Sequence, residues 1–445
     1  MKNKNIELNK INFYSFNYIQ VLVTFKIIFL LLNISSVEEN LINPSYYFSE
    51  IHLKVIGKGD INILSNSFEF EPSEVKINGV SNNCKKVCNF QEEENNVILY
   101  FNDIINNCEN MFYHLKDIKE IDFSKFDFSY VTTTKNMFRN CTLLEKIEFG
   151  NNINTSSLKT MESMFFGCHN LTSLDLSKFN TNKVESFSFL LYYCKNLVEI
   201  NLSNINTSSA INMRSFFEHC EKLESIDISN FNTSSVTDMF HMFFHCYSLK
   251  IIIFPENLEI SKVTTVDGIF SHCISLVTLN LSNFYLSNDV VMHYMFHNCN
   301  KLKYIDLSNC PLITITNMRG TFRYLSSLVY LNIPNLEITS NSIMEITFEN
   351  PSSFLKVCSK QPNMIQNISN LNIINDCEDI CFNKNIKIGN DSNECISSCK
   401  DNGYDYEYIN ICFHQCPDYT HAIYQNNDNN ALICLDKNPE GYYLD

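Results

Sequence analysis

The sequence predicts an α/β solenoid of about nine coils, each a strand plus a short helix of about 26 residues. A β-rich cap precedes the array and a disulfide-rich module follows it. Three observations carry this expectation. Cys141, Cys168, Cys194, Cys220, Cys246, Cys273 and Cys299 recur every 26 or 27 residues. Branched aliphatics recur in the same frame at Ile121, Ile147, Leu174, Ile200, Ile226, Ile252, Leu279, Ile305 and Leu331. A third column reads Phe112, Phe138, Phe165, Leu191, Phe217, Phe243, Phe270, Phe296 and Phe322. A unit that repeats at this length cannot close a core alone, but copies of it stacked on one another can.

The N-terminus comes first in the chain. Lys2, Lys4 and Lys10 precede the apolar run "VLVTFKIIFLLL", Val21 to Leu32, and small polar residues follow. That order reads as a secretory signal peptide over residues 1–36. An uncleaved signal anchor, the one membrane contact expected, and a buried strand are the alternatives. The run is shorter than the roughly 20 residues a spanning helix needs.

Residues 37–110 lie outside the repeat. "SEIHLKVIGKGDINIL" and "SEVKINGVSN" alternate as strands do around Gly and Asn turns, so a β-rich cap is expected there, covering the open edge of the first coil. Cys84, Cys88 and Cys108 fall in it. One disulfide and one leftover thiol are expected.

The array spans residues 111–350. The first half of each unit, as in "LTSLDLSKF" from Leu171 to Phe179, alternates apolar and polar residues with strand period. The second half has a different period. In "VTDMFHMFFHC", Val236, Met239, Met242, Phe243 and Cys246 follow steps of three and four, which predicts one face of a helix. The "NTSS" stretches at Asn206 and Asn232 are expected to supply turn and N-cap chemistry between the two halves.

The residues that carry the repeat, "MESMFFGCHNLTSLDLSKFNTNKV" and "VTDMFHMFFHCYSL", resemble BspA-like leucine-rich repeats. The resemblance covers about 240 residues, a whole recurring unit, and implies a leucine-rich-repeat solenoid with a role in adhesion or recognition at a cell surface. One departure from the general repeat stands out. Where it has an asparagine ladder, this chain has Phe126, Phe179, Ile205, Phe231, Phe284 and Cys310, a phenylalanine spine.

The position before each cysteine, counting the two end units that carry Leu115 and Leu325 instead, reads His114, Asn140, Gly167, Tyr193, His219, His245, His272, Asn298 and Tyr324. Gly, Asn and His together at one turn position suggest a left-handed backbone, here at a helix C-terminus. The column of Cys246 also accepts leucine, at Leu115 and Leu325, and so reads as a core column. A stacked metal site from His219, His245 and His272 is the weaker reading, since cap and core positions point in different directions. No metal and no cofactor are expected.

On the outer strand face, Asp122, Glu148, Asp175, Asp227 and Asp306 form an acidic stripe that ends in Tyr304 and Tyr330. These seven residues are the candidate ligand-binding positions, facing a protein or glycan partner. A basic protein, a cationic glycan and bridging Ca²⁺ all suit the stripe. Solvated strand faces are the plainer reading.

Residues 351–445 change character. Cys358, Cys377, Cys381, Cys395, Cys399, Cys412, Cys416 and Cys434 include three C-x₃-C pairs. In an exported chain such density implies disulfide staples for a module with little core, while zinc ribbons prefer C-x₂-C. The region loosely resembles furin-like or growth-factor-receptor cysteine-rich modules. The closing "CLDKNPEGYYLD" reads as the opening of another such module, so a chain truncated within it is expected. Sequons mark Asn154, Asn170, Asn206, Asn232, Asn367 and Asn390 as candidate glycosylation sites.

The formal charge of −16 disfavours nucleic acid as a partner. Ten glycines and nine prolines are too few for a collagen-like or linker-rich chain. No P-loop, G-x-S-x-G, H-E-x-x-H or dinucleotide motif occurs, and an enzyme is not expected. The expected function is recognition or adhesion by a secreted or cell-surface protein, with a structural coat or matrix protein as the alternative.

Overall fold

A computed structural model describes residues 49–359 apart from short gaps, and beyond them the backbone of short strands between 374 and 436. The expected signal segment lies outside the described residues.

The cap is built from β1 (Ser49–Ile56), β2 (Gly59–Asn62), β3 (Glu74–Ile77), β4 (Val80–Asn82), β5 (Val87–Phe90) and β6 (Glu94–Phe101). Its alternating residues bury one face: Ile51, Leu53 and Val55 are fully or nearly fully buried. β2 and β5 pair antiparallel, and the Cys84–Cys88 disulfide closes the turn into β5. Cys108 is free and buried. β1 pairs antiparallel with β6 on one side and with β7 (Ile118–Lys125), the first coil strand, on the other. The backbone groups of β7 that a preceding coil would have occupied are therefore taken by β1, and the solenoid has no open edge there.

From β7 onward the chain winds a β-solenoid of about eight turns with a repeat of about 26 residues. The ribbon face carries one strand per coil, β8 (Lys146–Glu148), β9 (Ser173–Asp175), β10 (Glu199–Asn201), β11 (Ser225–Asp227) and β12 (Ile251–Ile253), paired in parallel as β7–β8, β9–β10 and β11–β12. Next come β13 (Leu258–Ile260), β14 (Thr278–Leu279), β15 (Phe284–Leu286), β16 (Val290–Val291), β17 (Tyr304–Asp306), β18 (Ile313–Asn317), β19 (Tyr330–Asn332), β20 (Leu336–Ile343) and β21 (Lys356–Cys358). Of these, β14, β17, β19 and β21 continue the ribbon in parallel register, with Ile305 opposite Leu331 and Leu331 opposite Val357. The later coils carry two further parallel sheets, β13–β15 and β16–β18–β20.

The second half of each coil is not the helix that its three-and-four spacing predicts. No α-helix occurs among the described residues. In the coil of Cys168, the N–H groups of Met161, Ser163, Phe165 and Gly167 donate to Ser186, Ser188, Leu190 and Tyr192 of the next coil, at 2.7–3.0 Å. The intervening N–H groups, of Met164, Phe166 and Cys168, close turns onto the residue three back, each at 3.2 Å. Alternate donors thus serve the neighbouring coil, which leaves no continuous i→i−4 series for a helix. Two residues per coil bend the chain to allow this. The position before each cysteine has φ between 60° and 71° in all nine units. A second left-handed position lies four residues earlier, as at Asn136, Ser163, Phe189, Ser215 and His241, with φ 53–57°. Successive turns of this kind still direct Met161, Met164, Phe165 and Cys168 inward, so the buried columns coincide with those a helix would have made.

The core consists of stacked columns. Phe217, Phe243 and Phe270 lie nearly parallel, with centroids 5.3 and 5.8 Å apart. The stack continues from Phe270 through Phe296 to Phe322, at 5.8 and 5.9 Å. Each cysteine of the column does more than fill space. Its thiol donates to a carbonyl of the Phe column in the previous coil, as Cys141 does to Phe112 at 3.0 Å and Cys246 to Phe217 at 3.1 Å. Cys310, in the spine, donates to Phe284 at 2.8 Å.

The "NTSS" stretches cap no helix. The buried hydroxyls of Thr155, Thr181, Thr207 and Thr233 each donate to a backbone carbonyl of the next coil at 2.7–3.1 Å. Those of Thr155, Thr181 and Thr207 also accept the next coil's N–H at 2.7–2.8 Å. A threonine ladder thereby satisfies the backbone groups that an asparagine ladder satisfies elsewhere.

At Gly150 the backbone of the preceding coil, which cannot swing aside as a side chain can, comes close. The glycine has φ +71°, and a Cβ there would lie 2.9 Å from the Ser124 Cα of the preceding coil. Gly150→Val is expected to cost about 2–4 kcal/mol, from left-handed strain and a backbone clash together. Gly59→Ala, at φ +83° with open space around it, should cost only about 1 kcal/mol. Urea denaturation of the two variants checks the contrast.

Candidate functional site

The acidic ribbon is largely a set of turn formers. Asp122, Asp175 and Asp227 each accept, through Oδ1, the backbone N–H of the serine two residues on, at 2.7, 2.9 and 2.9 Å. Asn201 makes the same bond to Ser203 at 3.1 Å. At Asp175, Asn201 and Asp227 this bond ends a three-residue strand by an Asx turn, which is a structural task, while β7 runs on past Asp122 to Lys125. Burial alone would raise Asp122, but hydrogen bonds from Ser124 and the charges of His52 and Lys125 outweigh it and hold the carboxyl low. Glu148 is exposed and pairs with Lys146 at 3.1 Å.

The expected aromatic anchor is not on a free surface. Tyr304 is 9% exposed and Tyr330 2%. Opposite each other on adjacent rungs, they belong to a stretch where the outward position Ile251 is buried as well. Apolar rings on parallel rungs leave water together, and the ribbon from β12 to β19 is closed where β8 to β11 is open. The Tyr304 hydroxyl donates to half-buried Asp306 at 3.2 Å, and burial raises this phenol well above its usual range. Tyr304 and Tyr330 thus present no free ring at the surface of the folded chain, and Asp306 accepts the Tyr304 hydroxyl.

The other expected sites fall as follows. Asn154, Asn206 and Asn232 are exposed, each accepting the N–H of the serine two residues on at 2.8–3.1 Å. Asn170 is half-buried. Asn367 and Asn390 lie outside the described residues. Cys358 is disulfide-bonded. The side chains of Cys377, Cys381, Cys395, Cys399, Cys412, Cys416 and Cys434 lie outside the described residues.

A second surface, which the strand-based reading overlooks, is the turn edge. It is formed by the outward positions ahead of the cysteine column. The whole chain has four arginines, and all four, Arg139, Arg214, Arg319 and Arg323, fall on these turns. So do seven of its eleven histidines: His114, His219, His241, His245, His272, His293 and His297. The guanidinium of Arg139 lies 3.9 Å over the ring of Phe166 in the next coil, and that of Arg214 lies 3.9 Å over Phe240. Arg139 also bonds Asn136 at 3.3 Å, and Arg214 pairs with Asp238 at 3.5 Å. Phe166 stacks on Tyr192 at 4.5 Å, and Tyr193 on His219 at 4.1 Å. The signal is in the sequence, as rings two residues before the column position in five of the nine units: Tyr113, Phe166, Tyr192, Phe244 and His297.

His245 and Cys246, adjacent in sequence, serve opposite sides of this wall. The imidazole faces the edge, within 3.2 Å of the Tyr247 hydroxyl. The thiol faces the core. Burial pushes the free thiols up, Cys194, Cys299 and Cys310 to about 12, so none is poised as a nucleophile at neutral pH.

Comparison with known proteins adds a family. The profile described as a Mycoplasma protein of unknown function, DUF285, matches residues 106–225, 192–254 and 250–361. The chain belongs to the DUF285 family. The matched span of this DUF285 protein coincides with its coils. Curated proteins give no match. Among solved structures, it is similar to a leucine-rich cell surface protein from Faecalibacterium prausnitzii, at 17% identity over 58% of this chain and 83% of that one, with a TM-score of 0.24. It is also similar to a leucine-rich repeat protein from Bacteroides ovatus, at 16% identity over 69% and 99%, with a TM-score of 0.19. Neither TM-score reaches the level of a shared overall shape, and the architecture rests on the coil geometry above.

Proposed function

We propose that this DUF285 protein is a secreted or cell-surface recognition protein that binds an extracellular protein or glycan through its turn edge. The observation that carries the reading is the gathering of every arginine of the chain on that edge, two of them laid flat on aromatic rings. Arg, Tyr and other large planar groups supply most of the energy at protein interfaces, and a stacked guanidinium is held in place before a partner arrives. The Cys84–Cys88 disulfide and the disulfide-bonded Cys358 favour an oxidising, extracytoplasmic setting.

A second reading keeps the open ribbon as the binding face. In its favour, Glu148, Asp175, Glu199 and Asp227 remain exposed on β8 to β11. Binding of the purified protein to whole cells and to a glycan array separates the two. Arg139→Ala with Arg214→Ala is expected to weaken binding at least tenfold (about 1.4 kcal/mol). Glu148→Lys with Glu199→Lys should leave it within about twofold (0.4 kcal/mol). The reverse outcome selects the ribbon. A wild type that binds neither cells nor glycans yet assembles with itself selects a structural coat.

A further inference from the structure

The imidazoles of His219, His245, His272 and His297 form one continuous column on four consecutive coils. Their centroids are 4.5, 4.3 and 4.9 Å apart. Tyr193 closes one end at 4.1 Å from His219, and Tyr324 the other at 5.5 Å from His297. Phe244 lies stacked at 4.0 Å on His245. All four imidazoles are half-buried.

Their polar neighbours are mostly hydroxyls. Tyr247 is 3.2 Å from His245, and Ser271 is shared between His272 at 3.0 Å and His297 at 3.4 Å. The carboxylates stand at the margins: Glu221 is 3.7 Å from His219, Glu218 is 3.6 Å from His241, and Asp267 is 3.1 Å from His293. Glu349 is engaged by Arg323 and Tyr324, and Lys195 by Glu221. Among the described residues, no carboxylate is within ion-pair distance of His245, His272 or His297. A proton added to the middle of the column would therefore place a cation about 4–5 Å from another imidazole, in a partly dehydrated setting, without a counter-charge.

We propose that this column is a proton-operated latch. Neutral, it closes the turn edge of these coils through edge-to-face imidazole contacts; in mildly acidic surroundings it opens them locally, while the Phe and Cys columns keep the solenoid wound. The proposal stands independently of what the edge binds.

The shifts of the imidazoles agree in direction. Burial, followed by the neighbouring imidazoles, holds His245 at about 3. Burial, followed by His272 and Arg323 and against the opposing pull of Glu349, holds His297 at about 4. Burial lowers His272, and lowers His219 against the opposing pull of Glu218 and Glu221. An imidazole that titrates lower when folded than its ordinary value of about 6.5 favours the closed state fully above pH 6.5. That preference is lost as pH falls from there toward the folded value. At pH 4.5, His245 alone would raise the opening constant about a hundredfold over its value at neutral pH.

The test compares amide exchange of the full chain with that of His245→Asn/His272→Asn, at pH 7.0 and pH 4.5. Asparagine already occupies this left-handed column at Asn140 and Asn298, with φ 60° and 61°. The ratio of wild-type to variant exchange at one pH cancels the intrinsic chemistry. For residues 241–246 and 267–273 the ratio should be at least tenfold higher at pH 4.5 than at pH 7.0, and for residues 133–141 it should not change. An equal ratio at both pH values, or a rise spread equally through residues 133–141, overturns the latch. Should the asparagine variant fail to fold, tyrosine at both positions, as at Tyr193 and Tyr324, makes the same comparison.

Discussion

Phe243→Ala is expected to destabilise the solenoid by about 3–5 kcal/mol, the range for emptying a fully buried aromatic site. The Phe243 ring is inaccessible to solvent and lies between Phe217 and Phe270 at interplanar angles of 4° and 9°. Removing it leaves a cavity that the flanking rings cannot fill, because each is fixed by its own neighbour on the far side. Each coil touches only the coils beside it, so the damage is local in contact but large in consequence. An array of this kind derives its cooperativity from nearest-neighbour interfaces. Weakening one interface by several kcal/mol should split the urea transition into two, one for the coils on each side. Phe243→Leu should cost only about 1 kcal/mol and keep a single transition, since Leu191 occupies the same column and is fully buried. An alanine variant within about 1 kcal/mol of wild type, with one transition, would show that the column does not hold the coils together.

The parts of this fold that are legible in the sequence are those where one residue type answers one physical demand. The repeat length, the inward Phe and Cys columns and the left-handed position before each cysteine are of this kind. A turn that requires positive φ selects Gly, Asn and His in any context, so Gly167, Asn140 and His245 revealed it together. The spacing predicts a helix that does not form, because spacing reports only which side chains face inward. Met161, Met164, Phe165 and Cys168 do face inward, yet the backbone between them sends alternate N–H groups to the next coil. The second left-handed column was the available correction. Asn136, Gly268 and Gly320 occupy it, and two such residues four apart are incompatible with a helix.

The candidate site is only partly legible, for a related reason. Carboxylates on alternate strand positions read as a surface charge pattern, yet Asp122, Asp175 and Asp227 also bind the backbone N–H two residues on as Asx turns. The burial of Tyr304 and Tyr330 depends on packing that strand alternation does not encode. The threonine ladder was hidden in the same way: "NTSS" is turn-like in composition, and only stacked copies reveal that its threonine lies inside.

Nine thiols are expected to stay silent toward an alkylating reagent in the native protein and to react together on unfolding without reductant. They are Cys108, the seven cysteines of the repeat column and Cys310, all free and buried. Burial protects each of them in two ways. Access requires a coil to open, and an opening that costs about 4 kcal/mol slows reaction about a thousandfold. The thiolate fraction falls as well, because burial raises the thiol; at about 12, Cys194 and Cys299 are almost wholly protonated at pH 8. The hydrogen bond from each column thiol to the preceding coil gives the series an internal control. Cys246→Ser keeps a donor for the Phe217 carbonyl, and Cys246→Ala removes it. The carbonyl still accepts the Cys220 N–H at 3.0 Å, so the alanine variant should lose packing and one weak bond, about 1–2 kcal/mol, and not the whole coil. If several column thiols were labelled at once in the folded chain, the cysteines would have to lie on the outside of the coils. The inward Phe stack, the outward turn edge and the histidine column, which share their register, would then lose their placement together.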